Sequence, residues 1–363
     1  MRVPGRAARL AGNAPDVDAI VVANGASPYL DSAFWYLTGL RSGTFEGSFA
    51  VVNPDGSMDV AVSVMESETA RRGKGRKHVY PTAARRKEIA GELLGGRKAI
   101  GVNAGKITHA HVEFLRKAAP EAEIVDVSDA FSKTVNVKDR KEVSTMRKAC
   151  GIASEVAKSI PDILREGMTE REAAAAIDGA MRDLGADSNA FDTIAAFGPN
   201  SSQPHHKPGD RKLADGDAAL FDFGCKYDMY CSDLTRTVFF GEPPKIMRKA
   251  YSVVRRAQEI GMAEMAPGAP ASAPDLAARE YIDSTEFKGM FIHSFGHGLG
   301  MDIHEGIHVS SNSTHVFEAG NVVSAEPGVY VKGVGGIRIE DTVLITEKGP
   351  RRLTSFPKKL TVI

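Results

Sequence analysis

Residues 220–238 read LFDFGCKYDMYCSDLTRTV, in which two apolar, strand-like segments flank the polar turn KYDMY. Asp222 and Asp233 stand in these segments at positions that would ordinarily be apolar. Burying an unpaired charge in a sheet is very costly, so each acid implies a counter-charge nearby. The stretch therefore predicts a two-stranded hairpin that holds a charged site.

A second pair of strand-like segments repeats this pattern near the end of the chain. These segments are VVSAEPGVYV (322–331) and GIRIEDTVLI (336–345), and each carries one acid inside it, Glu326 and Glu340. Side chains of paired strands can meet on one face of a hairpin. Two such hairpins can therefore direct four carboxylates at a common point.

Two helices are predicted before each hairpin. The first, which begins near residue 138, has an apolar stripe formed by Val143, Met146, Cys150, Ala153 and Val156. The second opens with the capping box 169–172, and the third and fourth follow Pro243-Pro244 and the proline-rich loop 267–274. The order α-α-β-β thus occurs twice, which predicts a pseudo-two-fold α+β domain with a site between its halves.

The first third of the chain alternates strand-like and helix-like segments, as in an α/β domain. Those segments are DAIVVAN (18–24), FAVVNPDGSMDVAVSV (49–64), RKAIGVN (97–103), THAHVEFLRKAA (108–119) and AEIVDVS (122–128). The length of 363 residues fits about two domains. The polar stretch 132–142 separates the two patterns, so we place an α/β N-terminal domain at 1–133 and the α+β domain at 134–363.

Composition limits the classes of partner. Lys plus Arg and Asp plus Glu each number 46, so the net charge is zero, which argues against a general nucleic-acid binder. The basic runs 71–77 and 85–87 contain no aromatic residue, and we interpret them as a solvated loop and helix face. No apolar run approaches the ~18 residues that span a bilayer, so no membrane partner is expected.

Three cysteines, Cys150, Cys225 and Cys231, are too few for a disulfide framework. They form no C-x-x-C pair, and we interpret them as small buried apolar residues rather than thiolate ligands. This usage is typical of a reducing compartment, so a cytoplasmic location is expected.

Histidines concentrate in the second domain, where seven of the ten lie between residues 205 and 315. His297, within SFGHGLGMDIHEG, can supply an imidazole to the four carboxylates. Their four negative charges would balance two divalent cations, and oxygen-rich ligation with one imidazole favours Mn²⁺, with Co²⁺ or Zn²⁺ as alternatives. Two ions ~3.5–4 Å apart can hold a bridging hydroxide and polarise a carbonyl. Singly, each acid could equally form a structural salt bridge or a cap.

As a set, these motifs resemble the pita-bread metallopeptidases of the Xaa-Pro branch, prolidase and aminopeptidase P. The motifs are YLTGL (36–40), PNSSQPHHKPGD (199–210), LFDFGCKYDMYCSDLTRTV (220–238), HSFGHGLGMDIHE (293–305), AEPGVY (325–330) and GIRIED (336–341). The resemblance covers almost the whole chain and implies a creatinase/prolidase-type N-terminal domain before a pita-bread catalytic domain. It also implies a homodimer and small peptide substrates.

The resemblance implies that five residues hold two divalent metal ions. Asp222 would chelate one ion, Asp233 and Glu340 would bridge both, and His297 with Glu326 would complete the second. Glu326 also resembles the general base of the family, which takes a proton from the attacking water.

The resemblance also implies roles for residues around the metals. His205 and His304 would hydrogen-bond the scissile amide and the developing oxyanion, and His293 would lie near the proline-side pocket. Arg338 would hold a bridging carboxylate in place. The remaining histidines of this region, His206, His308 and His315, are interpreted as ordinary surface or loop residues.

One segment departs from the family pattern. After HEG the family usually has a proline followed by an aromatic residue, whereas this chain has Ile307 and His308. In the resemblance both lie beside the substrate pocket, so they bear on specificity more than on reaction type.

The leading hypothesis is a metal-dependent exopeptidase that hydrolyses Xaa-Pro bonds in dipeptides or at peptide N-termini. The alternatives are another pita-bread enzyme, such as a methionine aminopeptidase or a creatine-type amidinohydrolase, and a non-catalytic binding module on the same fold. The leader domain and His293 argue against the methionine aminopeptidase, and the complete ligand set argues against the other two. Dipeptidase and aminopeptidase stay open.

Overall fold

A computed structural model describes residues 5–363 of the chain. Contacts within the chain divide it into two compact units, with the division between Val135 and Asn136. The domain boundary expected between 133 and 134 lies two residues before this division. No helix within residues 5–363 is long and apolar enough to cross a membrane.

The first unit is built on a six-stranded mixed sheet with the order β4-β3-β2-β1-β5-β6. Its strands are β1 (Ala19–Ala23), β2 (Phe49–Val52), β3 (Met58–Ser63), β4 (Arg76–Tyr80), β5 (Ala99–Val102) and β6 (Glu123–Asp126). Its helices are α1 (Arg6–Asn13), α2 (Ser32–Thr38), α3 (Ser67–Ala70), α4 (Ala83–Leu94) and α5 (His109–Ala118), and α6 (Ser128–Asn136) ends at the division. The strands and helix predicted here are confirmed.

One residue of the predicted basic surface points inward. Arg86 on α4 is half-buried, and its guanidinium lies 4.2 Å from the centre of the Phe114 ring. Its Nε donates to the carbonyl of Gly47 at 2.7 Å. The prediction of a fully solvated run is therefore wrong at Arg86, because its long side chain covers an aromatic ring of the core.

The second unit contains four long helices and a series of short strands. The helices are α7 (Arg140–Ile163), α8 (Glu170–Asp183), α9 (Lys245–Ala263) and α10 (Ala273–Asp283). The first strands are β7 (Ser188–Asn189), β8 (Ile194–Phe197), β9 (Ala218–Phe223), β10 (Cys225–Tyr227), β11 (Tyr230–Cys231) and β12 (Leu234–Phe239). The later strands are β13 (Gly296–His297), β14 (His308–Val309), β15 (Val322–Ala325), β16 (Gly328–Val331), β17 (Gly335–Arg338), β18 (Asp341–Thr346) and β19 (Gly349–Arg352). The α-α-β-β order therefore occurs twice, as predicted.

The first hairpin joins β9 and β10 to β11 and β12 in one continuous register. Leu234 pairs with Phe223 and Lys226 pairs with Cys231, so Gly224 lies opposite Asp233. A Cβ atom on Gly224 would lie 1.9 Å from the carbonyl oxygen of Ser232, so only glycine fits there. The ladder is interrupted at this pair, because Gly224 lies between β9 and β10 and Asp233 lies between β11 and β12.

The second hairpin is interrupted in the same way, where two continuous strands were predicted. Ala325 pairs with Asp341 and Gly328 pairs with Arg338, so the common register places Glu326 opposite Glu340. Neither acid pairs with the facing strand, because the backbone N–H of Glu326 donates to Phe295 and that of Glu340 donates to Thr235. The acids thus sit at a break in the ladder.

Two apolar cores support the two hairpins. Residues of α7 and α8 pack against β8, β9 and β12, and residues of α9 and α10 pack against β15 to β18. The cysteines 150, 225 and 231 are buried and free, as predicted. Burial raises the pKa of the Cys225 thiol to about 11, so this group is a neutral thiol at neutral pH.

Candidate metal centre

The four acids of the hairpins converge on one cavity of about 580 Å³. Asp222 lies near the end of β9, Asp233 lies just before β12, and Glu326 and Glu340 lie at the break in the second hairpin. All nine residues predicted to form the site line this cavity, namely His205, Asp222, Asp233, His293, His297, His304, Glu326, Arg338 and Glu340. The structure thus brings together every predicted site residue.

Three of these residues offer ligand atoms within 4.8 Å of one another: Asp233, His297 and Glu340. The Nε2 atom of His297 lies 3.2 Å from Oε1 of Glu326 and 3.5 Å from Oδ2 of Asp233. Its Nδ1 atom lies 3.2 Å from the carbonyl of Gly298, which assigns a proton to Nδ1. Nε2 is therefore the nitrogen available to a metal ion.

The carboxylates repel one another in the absence of a cation. Burial and the neighbouring acids raise the pKa of Asp233 and of Glu340 well above their ordinary values. Burial opposes the charged form of His297, but its hydrogen bonds and the negative charges of Glu326 and Asp222 together outweigh this and raise the pKa of His297. Burial also opposes the ionisation of Glu326, but the hydrogen bond from His297 and the positive charges around the carboxylate together lower the pKa of Glu326 to about 2.

Two oxygens of the cluster lack a hydrogen-bond partner among residues 5–363. They are Oδ1 of Asp222 and Oε1 of Glu340, and both are buried. A buried carboxylate oxygen without a donor is costly, and a divalent cation would satisfy both atoms. Oxygen-rich donors with one imidazole suit hard or borderline divalent ions. The residues present therefore fit a metal centre.

Arg338 is the buried positive charge beside this cluster. It donates from Nη2 to Oδ2 of Asp222 at 2.6 Å and from Nη1 to the Tyr330 hydroxyl at 2.9 Å. We expected Arg338 to bind a bridging carboxylate. Its observed partner is instead Asp222, which the resemblance assigns to one ion alone. The hydroxyl of Thr235 lies between Arg338 and Glu340, because it accepts from Nε of Arg338 and donates to Oε2 of Glu340.

The three predicted substrate-binding histidines differ in their surroundings. The ring of His304 lies edge-on to that of His297 with a centroid distance of 4.3 Å. Burial and the charge of His297 lower the pKa of His304. His293 accepts at Nε2 from the Tyr330 hydroxyl at 2.8 Å, and His205 is exposed at the cavity wall.

The other three histidines of the region, which we interpreted as ordinary surface or loop residues, do not all fit that interpretation. His206 is not an ordinary surface residue, because its ring is mostly buried and its Nε2 lies 2.8 Å from Oε2 of Glu170. His308 is exposed but lines the cavity, whereas its neighbour Ile307 is buried in the core. His315 lies in a loop, as predicted.

Residues 144–347 match the profile of metallopeptidase family M24, and residues 7–134 match the creatinase/prolidase N-terminal domain. The first match covers more than half of the chain. This chain belongs to metallopeptidase family M24. The resemblance inferred from the motifs is confirmed, and so is the pita-bread fold class.

Several relatives of this M24 metallopeptidase have names that state an activity. A Xaa-Pro dipeptidase of Pyrococcus horikoshii is 32% identical over 344 residues, which are 95% of this chain and 94% of that protein. The structure of a Xaa-Pro dipeptidase from Bacillus anthracis has a TM-score of 0.91 at 28% identity and covers 99% of both chains. The X-Pro aminopeptidase of Thermotoga maritima has a TM-score of 0.88 at 28% identity, with 99% of this chain and all of that chain covered.

Two residues of this M24 metallopeptidase site were not singled out from the sequence. Tyr330 receives a hydrogen bond from Arg338 and donates one to His293. Thr235 donates from Oγ1 to Oε2 of Glu340 at 2.6 Å and receives a hydrogen bond from Nε of Arg338 at 3.1 Å. A polar residue two positions beyond Asp233 on the same strand face is the signal that could have indicated Thr235.

Proposed function

We propose that this M24 protein hydrolyses Xaa-Pro peptide bonds in dipeptides or at peptide N-termini as a metal-dependent exopeptidase. The observation that carries the proposal is the convergence of four carboxylates and one imidazole in a single cavity, where two of the carboxylate oxygens are unpaired. The relatives named Xaa-Pro dipeptidase and X-Pro aminopeptidase support this substrate class.

The five ligand residues would divide between two divalent ions. Asp222 would bind one ion, Asp233 and Glu340 would bind both, and His297 with Glu326 would bind the other. When bound, the ions would activate a water molecule and polarise the scissile carbonyl. Manganese is the ion we favour, with cobalt or zinc as alternatives, because the donor set is rich in oxygen.

Glu326 is proposed to take the proton of the attacking water. Its carboxylate lines the cavity beside His297, so it lies where an attacking water would be activated. The hydroxyl of Ser324 donates to Oε1 of Glu326 at 2.9 Å and fixes the orientation of the carboxylate. From Glu326 the proton would pass to the leaving nitrogen.

His205 and His304 are proposed to bind the substrate around the scissile bond. The lowered pKa of His304 keeps its imidazole neutral, with one N–H to donate. A donor placed at the developing oxyanion stabilises the transition state more than the ground state. His293 is proposed to lie beside the proline, with its orientation fixed by Tyr330.

The alternatives are less well supported. A non-catalytic module would be expected to have lost ligands, yet all five are present around the cavity. A methionine aminopeptidase or a creatine-type amidinohydrolase is not favoured by the relatives named above. A homodimer is proposed on the resemblance alone, and a cytoplasmic location on the unpaired cysteines.

A substrate-length series tests the proposal. Purified protein is assayed with and without added Mn²⁺ on Ala-Pro, Ala-Pro-Gly and Ala-Pro-Gly-Gly. Metal-dependent release of alanine supports the proposed reaction, and the order of rates distinguishes dipeptidase from aminopeptidase. No release of alanine from any of the peptides under Mn²⁺ would refute the proposal.

The protein is expected to favour Xaa-Pro over Xaa-Ala by at least about tenfold in kcat/KM. A proline amide has no N–H, whereas an alanine peptide would bring an unpaired N–H into the site at a cost of roughly 1–3 kcal/mol. The alanine side chain would also leave the apolar contacts of the ring unmade. Rates on Met-Pro, Ala-Pro, Met-Ala and Ala-Ala under saturating Mn²⁺ measure this preference. Equal kcat/KM values would exclude the Xaa-Pro specificity but not the metallopeptidase activity.

A further inference from the structure

Two adjacent histidines, His205 and His206, point in different directions. His205 is exposed and lines the cavity, whereas the ring of His206 is mostly buried. Nε2 of His206 lies 2.8 Å from Oε2 of Glu170, the first residue of α8. The side chain of His206 is therefore hydrogen-bonded to α8, a helix that contributes no predicted metal ligand.

Glu170 is a fully buried carboxylate that accepts hydrogen bonds from the segment 197–209, which lies before β9. Its Oε1 accepts from the backbone N–H of Phe197 at 2.9 Å and from Nδ2 of Asn200 at 3.0 Å. Its Oε2 accepts from His206 and from the backbone N–H of Gly209 at 2.9 Å. One carboxylate thus receives four donors from the segment 197–209.

The residue before His205 is also held in place. Nη1 of Arg338 donates to the carbonyl of Pro204 at 3.2 Å. His205 therefore lies between Pro204, which is hydrogen-bonded to Arg338, and His206, which is hydrogen-bonded to Glu170. Both neighbours of His205 are thus hydrogen-bonded to buried charged side chains.

We infer that Glu170 and His206 are positioning residues that place His205 against the substrate. This inference rests on the proposed function, in which His205 binds the scissile amide. Around His205 the loop lies at the surface, because Gln203, His205 and Lys207 are exposed. The hydrogen bonds to Glu170 and Arg338 hold this part of the loop, and a displacement of about 1 Å at a reacting group can cost 10²-fold in rate.

The test compares His206→Ala with His206→Gln in the metal-loaded full-length protein. His206→Ala is expected to lower kcat on Ala-Pro by about 10- to 100-fold, with less than about a threefold change in KM. His206→Gln keeps a side-chain N–H donor and is expected to restore most of the rate. His109→Ala, at an exposed position in the first unit, is the matched control and should equal the wild type.

A double-mutant cycle separates positioning from general stability. If His206 acts through His205, His206→Ala should have little further effect in a His205→Ala background. Hydrogen–deuterium exchange over 198–209 supplies a readout besides activity, and it should increase in His206→Ala but not in His109→Ala. Metal content should be the same in all variants.

The outcomes distinguish this inference from the proposed function. A wild-type protein inactive on Ala-Pro, or a fully active His205→Ala variant, overturns the proposed role of His205 and the inference with it. A low rate for His205→Ala together with wild-type kcat for His206→Ala overturns the inference alone. Equal losses from His206→Ala with and without His205 also overturn it, since they indicate a purely structural effect.

Discussion

Replacing His304 with alanine is expected to lower kcat by roughly 10²–10⁴-fold while the protein keeps its metal. The ring of His304 lies edge-on to that of His297, with a centroid distance of 4.3 Å, and His304 is not one of the five proposed ligands. Its removal should therefore leave the ligands in place and take away a donor to the transition state. Metal analysis and steady-state kinetics on Ala-Pro measure the two effects separately.

The matched comparison is His297→Ala. This substitution removes the nitrogen that lies within 4.8 Å of ligand atoms of Asp233 and Glu340, so it should lower metal content as well as rate. Loss of metal from the His304 variant, or a rate near that of the wild type, would contradict the distinction between the two histidines.

Chelation is expected to abolish activity and to lower the thermal stability of the protein. Removing the ions leaves four carboxylates in one cavity, with two of their oxygens unpaired. Bound metal also stabilises the native state by mass action, because the unfolded chain lacks the assembled site. Metal analysis after reconstitution should find about two equivalents per chain. Full activity in chelator, with no metal bound, would refute metal dependence.

The metal-free protein should lose stability as the pH rises above about 4. The ordinary pKa is 3.8 for Asp233 and 4.5 for Glu340, and both are raised well above these values in the folded protein. Between the unfolded and folded pKa values the folded state binds more protons, so the free energy of unfolding falls as the pH increases. The raised pKa of His297 acts in the same direction above its ordinary value of 6.5.

Melting temperatures in Mn²⁺ and in chelator across pH 4 to 8 test this expectation. The difference in melting temperature between Mn²⁺ and chelator should increase with pH. Metal binding requires deprotonated carboxylates and an imidazole that carries no proton on Nε2. A constant difference over this range would mean that the acids are not the source of the instability.

The acids and hairpins were predictable because their signal is local. A charge inside an apolar strand, repeated on four strands, predicts convergence without knowledge of any contact. The breaks at Gly224 and at Glu326 were not predictable in the same way. They depend on backbone groups that pair outside the hairpin, such as the N–H of Glu340 with Thr235. Strand periodicity does not record such long-range pairs.

Contacts between residues distant in the sequence also explain why the predictions for His206 and Arg338 were wrong. His206 follows a histidine in a polar loop, and its partner Glu170 lies 36 residues earlier, so the sequence gives no sign of the buried pair. Arg338 was expected beside a bridging acid because it stands two residues from Glu340. Arg338 instead bonds to Asp222, 116 residues away, and is linked to Glu340 only through the hydroxyl of Thr235.

The pairing of Thr235 with Glu340 has a consequence for how the chain reaches its native state. These two residues are 105 positions apart, and both their backbone and side-chain bonds cross between the hairpins. Contacts of such separation form only after a long loop has closed, which slows their appearance during folding. We therefore expect the two halves of the domain to acquire their helices and hairpins first and the metal centre to assemble last. Pulse-labelled amide exchange should then show protection of Glu340 later than that of the α7 and α9 interiors, and simultaneous protection would contradict this order.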